Sequence, residues 1–195
     1  IPTEGVFSSA SYPRKYPNRA LERHQVSATA RVCRRKCADA MKILYLGQID
    51  PGQTALMRMR ALGRLGHCVC GVHTSEPWKK APSLKRQVQR RTRRGAIVEE
   101  INSTILSAAR QFKPALVWAD KQEFLRVETI EELRKLGARS VHFTPDPYFS
   151  LDWKRTRLMD SAMVAFDALV YCKSYARSQY EMLGRPLRYL PLICC

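Results

Sequence analysis

The stretch Met41-Lys-Ile-Leu-Tyr-Leu-Gly47-Gln-Ile-Asp-Pro-Gly52-Gln-Thr54 decides the fold. Lys42 to Leu46 is a short apolar run closed by Gly47, the pattern of a buried strand. A loop holding Pro51 and Gly52 follows, and at Thr54 the period changes. Thr54 to Leu65 carries Leu56, Met57, Met59, Ala61 and Leu62 at near-helical spacing, and Gly66 stops it. His67 to Val72 is then a second apolar strand. A strand, a glycine-bearing loop, a helix and a second strand make a βαβ unit, and the rest of the chain continues in kind.

Ala96 to Phe112 is the clearest helix, with Ile97, Ile101, Ile105, Ala108 and Phe112 on one face and Pro114 just beyond. Strands are expected at Ala115–Trp118, Ser140–Phe143, Ala168–Cys172 and Leu187–Leu190. Helices are expected at Glu128–Leu136, Arg155–Phe166 and Ser174–Leu183, the last with Ser174 as its N-cap. The central strands read as continuous apolar runs, as they do when both faces of a sheet are covered. The expected fold is therefore α/β: a Rossmann-like, doubly wound parallel sheet of about six strands, spanning residues 41–191.

The first forty residues differ. They hold Pro2, Pro13 and Pro17 with scattered Ser and Arg and show no apolar period. Such a composition buries too little surface to offset the entropy of ordering it. Residues 1–40 are expected to be a disordered basic extension, upstream of a natural start at Met41. An Arg-rich, acid-poor organelle transit peptide is the second reading. At the other end, the chain stops at Ile193-Cys194-Cys195 soon after the last strand, which suggests truncation.

The formal charge is +17. Residues 1–40 carry eight Lys/Arg against three acids, and Lys79 to Arg94 carries eight and none, so these two stretches supply +13 of it. A balance of this kind favours nucleic acid, anionic membrane or phosphate-bearing partners. Its concentration in two segments that look peripheral argues against the domain itself being a nucleic-acid reader. The Lys79–Arg94 block is expected to be a loop or an exposed helix, lying to the side of any cleft. The seven cysteines, Cys33, Cys37, Cys68, Cys70, Cys172, Cys194 and Cys195, form no C-x-x-C pair and are odd in number, so neither a disulfide framework nor a metal site is expected. Cys68 and Cys70 act as small hydrophobes in a strand. No apolar run approaches the roughly 18 residues of a membrane span, and without a signal-peptide core the cytoplasm is the default location.

Ligands of open α/β sheets bind beyond the carboxyl ends of the strands. The first strand delivers Gly47, Gly52 and Thr54 at a helix N-terminus, a place suited to anions although the loop is neither G-x-G-x-x-G nor a P-loop. The third delivers Asp120, Lys121 and Glu123, the fourth Thr144, Asp146 and Tyr148, and the fifth Lys173 and Ser174. Each has a plainer reading, Asp146 between two prolines as a turn residue and Asp120 with Lys121 as a solvated pair. Their gathering at one edge favours a shared cleft. His142 lies within a strand and reads as a hydrogen-bonded core histidine, and Trp118 reads as core.

The order of these motifs resembles GT-B glycosyltransferases. Met41-Lys-Ile-Leu-Tyr-Leu-Gly47 followed by a Pro-Gly loop and Ala-Leu-Gly-Arg-Leu-Gly-His67 is similar to their opening. Lys113-Pro-Ala-Leu-Val-Trp-Ala-Asp-Lys121, Gly137-Ala-Arg-Ser-Val-His-Phe-Thr-Pro-Asp146 and Asp167-Ala-Leu-Val-Tyr-Cys-Lys173 narrow the likeness to the CgeB-like family, often labelled spore maturation proteins. The resemblance covers Met41 to Pro191. It implies the N-terminal, acceptor-side domain of a two-domain enzyme that moves a sugar from a nucleotide-sugar donor to a sugar or cell-envelope acceptor without a metal or other cofactor. Most donor contacts would come from a C-terminal domain that this chain lacks, so it is expected to be inactive alone. If configuration inverts, Asp146 is the first choice of base and Asp120 the second. Gly47, Gly52, Thr54, Lys121, Thr144, Lys173 and Ser174 are the expected substrate contacts. The reading from another class is a basic, non-catalytic α/β module that binds nucleic acid or another polyanion through its charged segments.

Overall fold

Six short runs become six strands; the central ones are buried on both faces beneath covering helices, while the two edge strands are half-buried or exposed. In the computed structural model, which describes residues 40–151 and 155–191, these are β1 (Lys42–Gly47), β2 (Cys68–His73), β3 (Leu116–Asp120), β4 (Arg139–Thr144), β5 (Ala168–Tyr171) and β6 (Leu187–Tyr189). All pair in parallel, in the order β2-β1-β3-β4-β5-β6. The expected Rossmann-like α/β sheet is what forms. The expected extension at residues 1–40 falls, apart from Ala40, outside the described residues, as do Cys33, Cys37, Cys194 and Cys195.

The helices are α1 (Thr54–Arg64), α2 (Glu76–Lys80), α3 (Ser83–Thr92), α4 (Ala96–Phe112), α5 (Val127–Lys135), α6 (Arg157–Ala165) and α7 (Arg177–Glu181). Leu44, Leu46, Val117, Ala119 and Leu169 point to the face where Ile97, Ile101 and Ile105 of α4 pack, and Ile130, Leu133 and Met163 of α5 and α6 complete that core. Each of these residues is 3% exposed or less, so this layer holds most of the hydrophobic stabilisation. The alternate residues face α1. There Phe143, Val170 and Cys172 form a second, smaller cluster with Trp118 and Val141 against it. The sheet is thus doubly wound. From β1 the chain runs outward one way to β2, and from β3 to β6 it runs the other way. The reversal lies between β1 and β3.

The basic block takes one of the two forms expected of it, and the helix after β5 departs from its expected form. The basic block is mostly helical, as α2 and α3, and is pinned by Gly95. That residue sits at φ +112°, and a Cβ there would meet the Gln89 side chain at 2.5 Å. Only glycine fits, because Gln89 comes in to accept a hydrogen bond from Ile97 N (2.8 Å), one of the open donors at the start of α4. The helix after β5 is split: a 3-10 turn spans Ser174–Ala176 before α7, and Ser174 makes no side-chain cap. An N-cap side chain closes α6, where Thr156 Oγ1 accepts from Met159 N (3.2 Å). Among the described residues, no helix is long and apolar enough to cross a membrane.

Candidate functional site

The reversal between β1 and β3 opens a crevice, because the loops leaving the two strands turn to opposite faces of the sheet. A cleft of ≈ 430 Å³ lies there. Its floor is the carboxyl edge itself: Gln48 after β1, and Asp120, Lys121 and Gln122 at the end of β3. Gln122 joins the two strands, donating to Leu46 O (3.4 Å) and Asp120 O (2.7 Å). Thr54 and Arg58 of α1 form one wall, and Thr74, Ser75 and Trp78 after β2 form another.

Asp120 is 2% exposed and fully engaged. Arg58 grips both its oxygens, Nε on Oδ2 at 2.7 Å and the η nitrogen on Oδ1 at 3.1 Å, and the Tyr45 hydroxyl donates to Oδ2. Burial works against the Arg58 charge, but the hydrogen bond and charge of Asp120 outweigh it and raise the guanidinium pKa. Burial, then Asp120, push the Tyr45 phenol upward as well. A Cβ at Gly47 would stand 3.1 Å from the Tyr45 ring and 3.6 Å from Asp120 Cβ, so the glycine at the end of β1 makes room for this triad rather than for a ligand. Asp120 therefore reads as the anchor of the cleft wall, not as a proton acceptor.

The basic block does not lie to the side; this expectation is corrected by where its arginines go. Trp78 of α2 packs on Phe124 with ring centroids 4.6 Å apart. Arg90 lies over Trp78 (5.3 Å) and Arg93 over Phe124 (4.7 Å), so an aromatic pair holds two guanidinium groups in the cleft lining. Arg93 also reaches Glu123 Oε2 at 3.3 Å. With Arg58 and Lys121 the lining holds four cations against the two carboxylates Asp120 and Glu123. Among the described residues, Arg93, the C-cap of α3, and Lys121 are two of the three non-glycine residues with positive φ, at 56° and 52°.

Asp146, Thr144 and Lys121 share a small neighbouring hollow of ≈ 10 Å³ with His142 and Tyr148, room for about one water. Lys121 Nζ stands 3.7 Å from Asp146 Oδ1, so this lysine joins the hollow to the main cleft. The structure thus brings Thr54, Asp120, Lys121, Thr144 and Asp146 to one edge. Gly52 sits exposed in the α1 turn at φ +84° with open space around it. Lys173 and Ser174 follow β5 farther along the edge and line neither cavity. His142 is buried as expected, but among the described residues neither ring nitrogen makes a well-formed hydrogen bond. Burial pushes its pKa down to about 4, outweighing a smaller upward pull from the Gln122 backbone. Trp118 is packed against Phe143 at 5.7 Å, in the smaller cluster.

A further group was not singled out from the sequence. His73 ends β2, its Nε2 is 3.0 Å from Asp50 Oδ1, and its Nδ1 is 3.1 Å from the hydroxyl of Ser75, which lines the cleft. Glu76 lies 3.6 Å from the same Nε2, and Lys79 contacts Asp50 and Glu76. The Lys79 ammonium, with His73, lowers the Asp50 pKa to about 2. Asp50, His73 and Glu76 bring ligand atoms within 4.8 Å of one another, so among the described residues these could hold a metal ion; the lysine supplies the positive charge there. The signal was available: the strand-end rule that selected the loops after β1, β3, β4 and β5 applies equally to β2.

No protein-family model matches the chain, and no curated protein matches it either.

Proposed function

We propose that this chain is the acceptor-side Rossmann-like domain of a glycosyltransferase, and that the crevice between β1 and β3 takes a hydroxyl-rich ligand bearing negative charge. The observation that carries the reading is the cleft lining. Gln48, Gln53, Thr54, Ser75 and Gln122 offer donors and acceptors for hydroxyl groups, and Arg90, Arg93 and Lys121 offer charge for a phosphate or carboxylate. Motif order in the sequence agrees with it. In transfer, an acceptor oxygen attacks the anomeric carbon of the donor, the bond from that carbon to the phosphate oxygen breaks, and the nucleoside diphosphate leaves while the acceptor proton passes to a base. Two groups at the edge can take that proton: Asp146, and His73 through the Ser75 hydroxyl, with Asp50 holding the imidazole. Most donor contacts belong, by the resemblance, to a second Rossmann-like domain.

Thermal-shift titration with sugar phosphates and nucleotide-sugars tests the reading. Stabilisation by a member of that panel, lost in Arg90→Ala and Lys121→Ala, supports it. Stabilisation by oligonucleotides alone would favour the other class, a basic α/β module for polyanions. In a form carrying a donor domain, Asp146→Asn and His73→Gln each report whether that side chain takes the proton, through the loss of transfer with binding retained.

A further inference from the structure

Helix α3 is built inside out. A surface helix ordinarily turns its apolar stripe to the core and its charges to water. In α3 no residue is buried, and the side that meets the body of the protein is polar: Gln89 caps α4 and Arg90 lies on Trp78. Its apolar residues point away. Leu84 is 72% exposed and Val88 52%. Leu84, Val88 and Arg91 follow at i, i+4 and i+7, one turn apart on the outward side, with Lys85 beside them. No acidic residue occurs between Glu76 and Glu99. Single exposed aliphatic residues are ordinary. An aligned pair on a basic helix, turned outward because the polar side is the anchored one, makes a surface of two chemistries.

We propose that α3 docks on an anionic lipid surface. Leu84 and Val88 enter the boundary between headgroups and acyl chains, and Lys85, Arg91 and the flanking Lys80 and Arg94 lie among the lipid phosphates. The charge selects an anionic surface. The apolar pair selects a bilayer over nucleic acid, whose backbone is met by cations and hydrogen-bond donors and rewards outward aliphatic groups little. Arg90 and Arg93 emerge from the opposite side of the same segment into the cleft, so docking sets the cleft at the membrane and presents it with ligands carried there. The docking does not depend on what the cleft binds.

Co-sedimentation of the chain with phosphatidylcholine vesicles, with and without phosphatidylglycerol, tests this. Binding is expected to the anionic vesicles at near-physiological salt and not to the neutral ones. The double variant Leu84→Gln/Val88→Gln keeps the net charge, so the basic first forty residues are held constant, and it should lower partitioning at least about tenfold. Lys85→Gln and Arg91→Gln should each lower it about fivefold. Leu84→Trp should raise partitioning and show a blue-shifted emission on adding vesicles. Both apolar positions are exposed, so an unchanged melting temperature will show that the fold is intact. Undiminished binding by Leu84→Gln/Val88→Gln would overturn the proposal, since charge alone would then suffice. So would absence of binding to anionic vesicles, or oligonucleotide binding that the vesicles do not compete.

Discussion

Asp120 shows how a residue picked from its place in the sequence can acquire another role from its partners. The rule that strand ends carry function located it correctly at the cleft. What the rule could not supply is Arg58, 62 residues earlier, and Tyr45, 75 residues earlier, which together occupy both carboxylate oxygens. A carboxylate 1% exposed with its guanidinium partner leaves a buried uncompensated charge when one member is removed. Asp120→Asn is therefore expected to cost about 3 kcal/mol in chemical denaturation, whether or not a ligand is present. A loss confined to ligand binding, with stability unchanged, would show that the ion pair is dispensable to the fold. His142 makes the second prediction at this scale. Its pKa is pushed down to about 4 by burial, against about 6.5 when unfolded. The unfolded chain therefore binds this proton first as pH falls. The stability tied to the neutral ring is complete above about pH 6.5 and is lost progressively towards pH 4. His142→Phe should flatten the stability profile across that window, and an unchanged slope would mean that other groups carry it.

Among the elements, the central β-strands were legible because a doubly covered strand is rich in apolar residues, and their short length and flanking turn residues separate them from buried helix segments. The run Lys42–Leu46 and the observed Lys42–Gly47 differ by one residue. The basic block was harder to read. Lys79 to Arg94 has no buried stripe, so periodicity could not tell loop from helix, and the contacts that fix it are made by Gln89 and by Arg90 on Trp78 rather than by hydrophobic residues. Ser174 failed as an N-cap for a related reason: the chain after β5 tightens first into a 3-10 turn, and the hydroxyl has no helical N–H to accept from. The importance of the α3–α4 joint can be measured. Gly95→Ala places a side chain at φ +112° and into Gln89, and should cost about 1–3 kcal/mol. Hydrogen exchange should then quicken across residues 83–92 while the β1 and β3 amides keep their protection. Faster exchange throughout the sheet would mean that α3 is integral to the core.

At the scale of the molecule, sheet order is the step that sequence did not reach. Alternation of strand and helix predicts a parallel doubly wound sheet, but not that β3 lies beside β1 with β2 at the far edge. That order puts the reversal between β1 and β3, and with it the cleft. It draws together the loop after β1, the loop after β2 with the basic block that follows it, and the end of β3, which comes much later in the chain. It also explains why Asp120 and Lys121 line the main cleft while Lys173 and Ser174, two strands further on, do not. Because Arg90, Arg93 and Lys121 approach the cleft from the solvent side, binding of an anionic ligand there should weaken as salt rises. Isothermal titration at two salt concentrations would show it, and salt-independent binding would remove charge from the account of recognition.

The most direct measurement is a backbone amide NMR titration of the chain with the best sugar phosphate or nucleotide-sugar found by thermal shift. If the crevice between β1 and β3 is the ligand site, the shifted amides will cluster at Gln48, Thr54, Ser75, Arg93 and Lys121, with the outward side of α3 and the β6 edge silent. Shifts confined to α3, or spread along the basic segments without reaching Gln48 and Lys121, would contradict it.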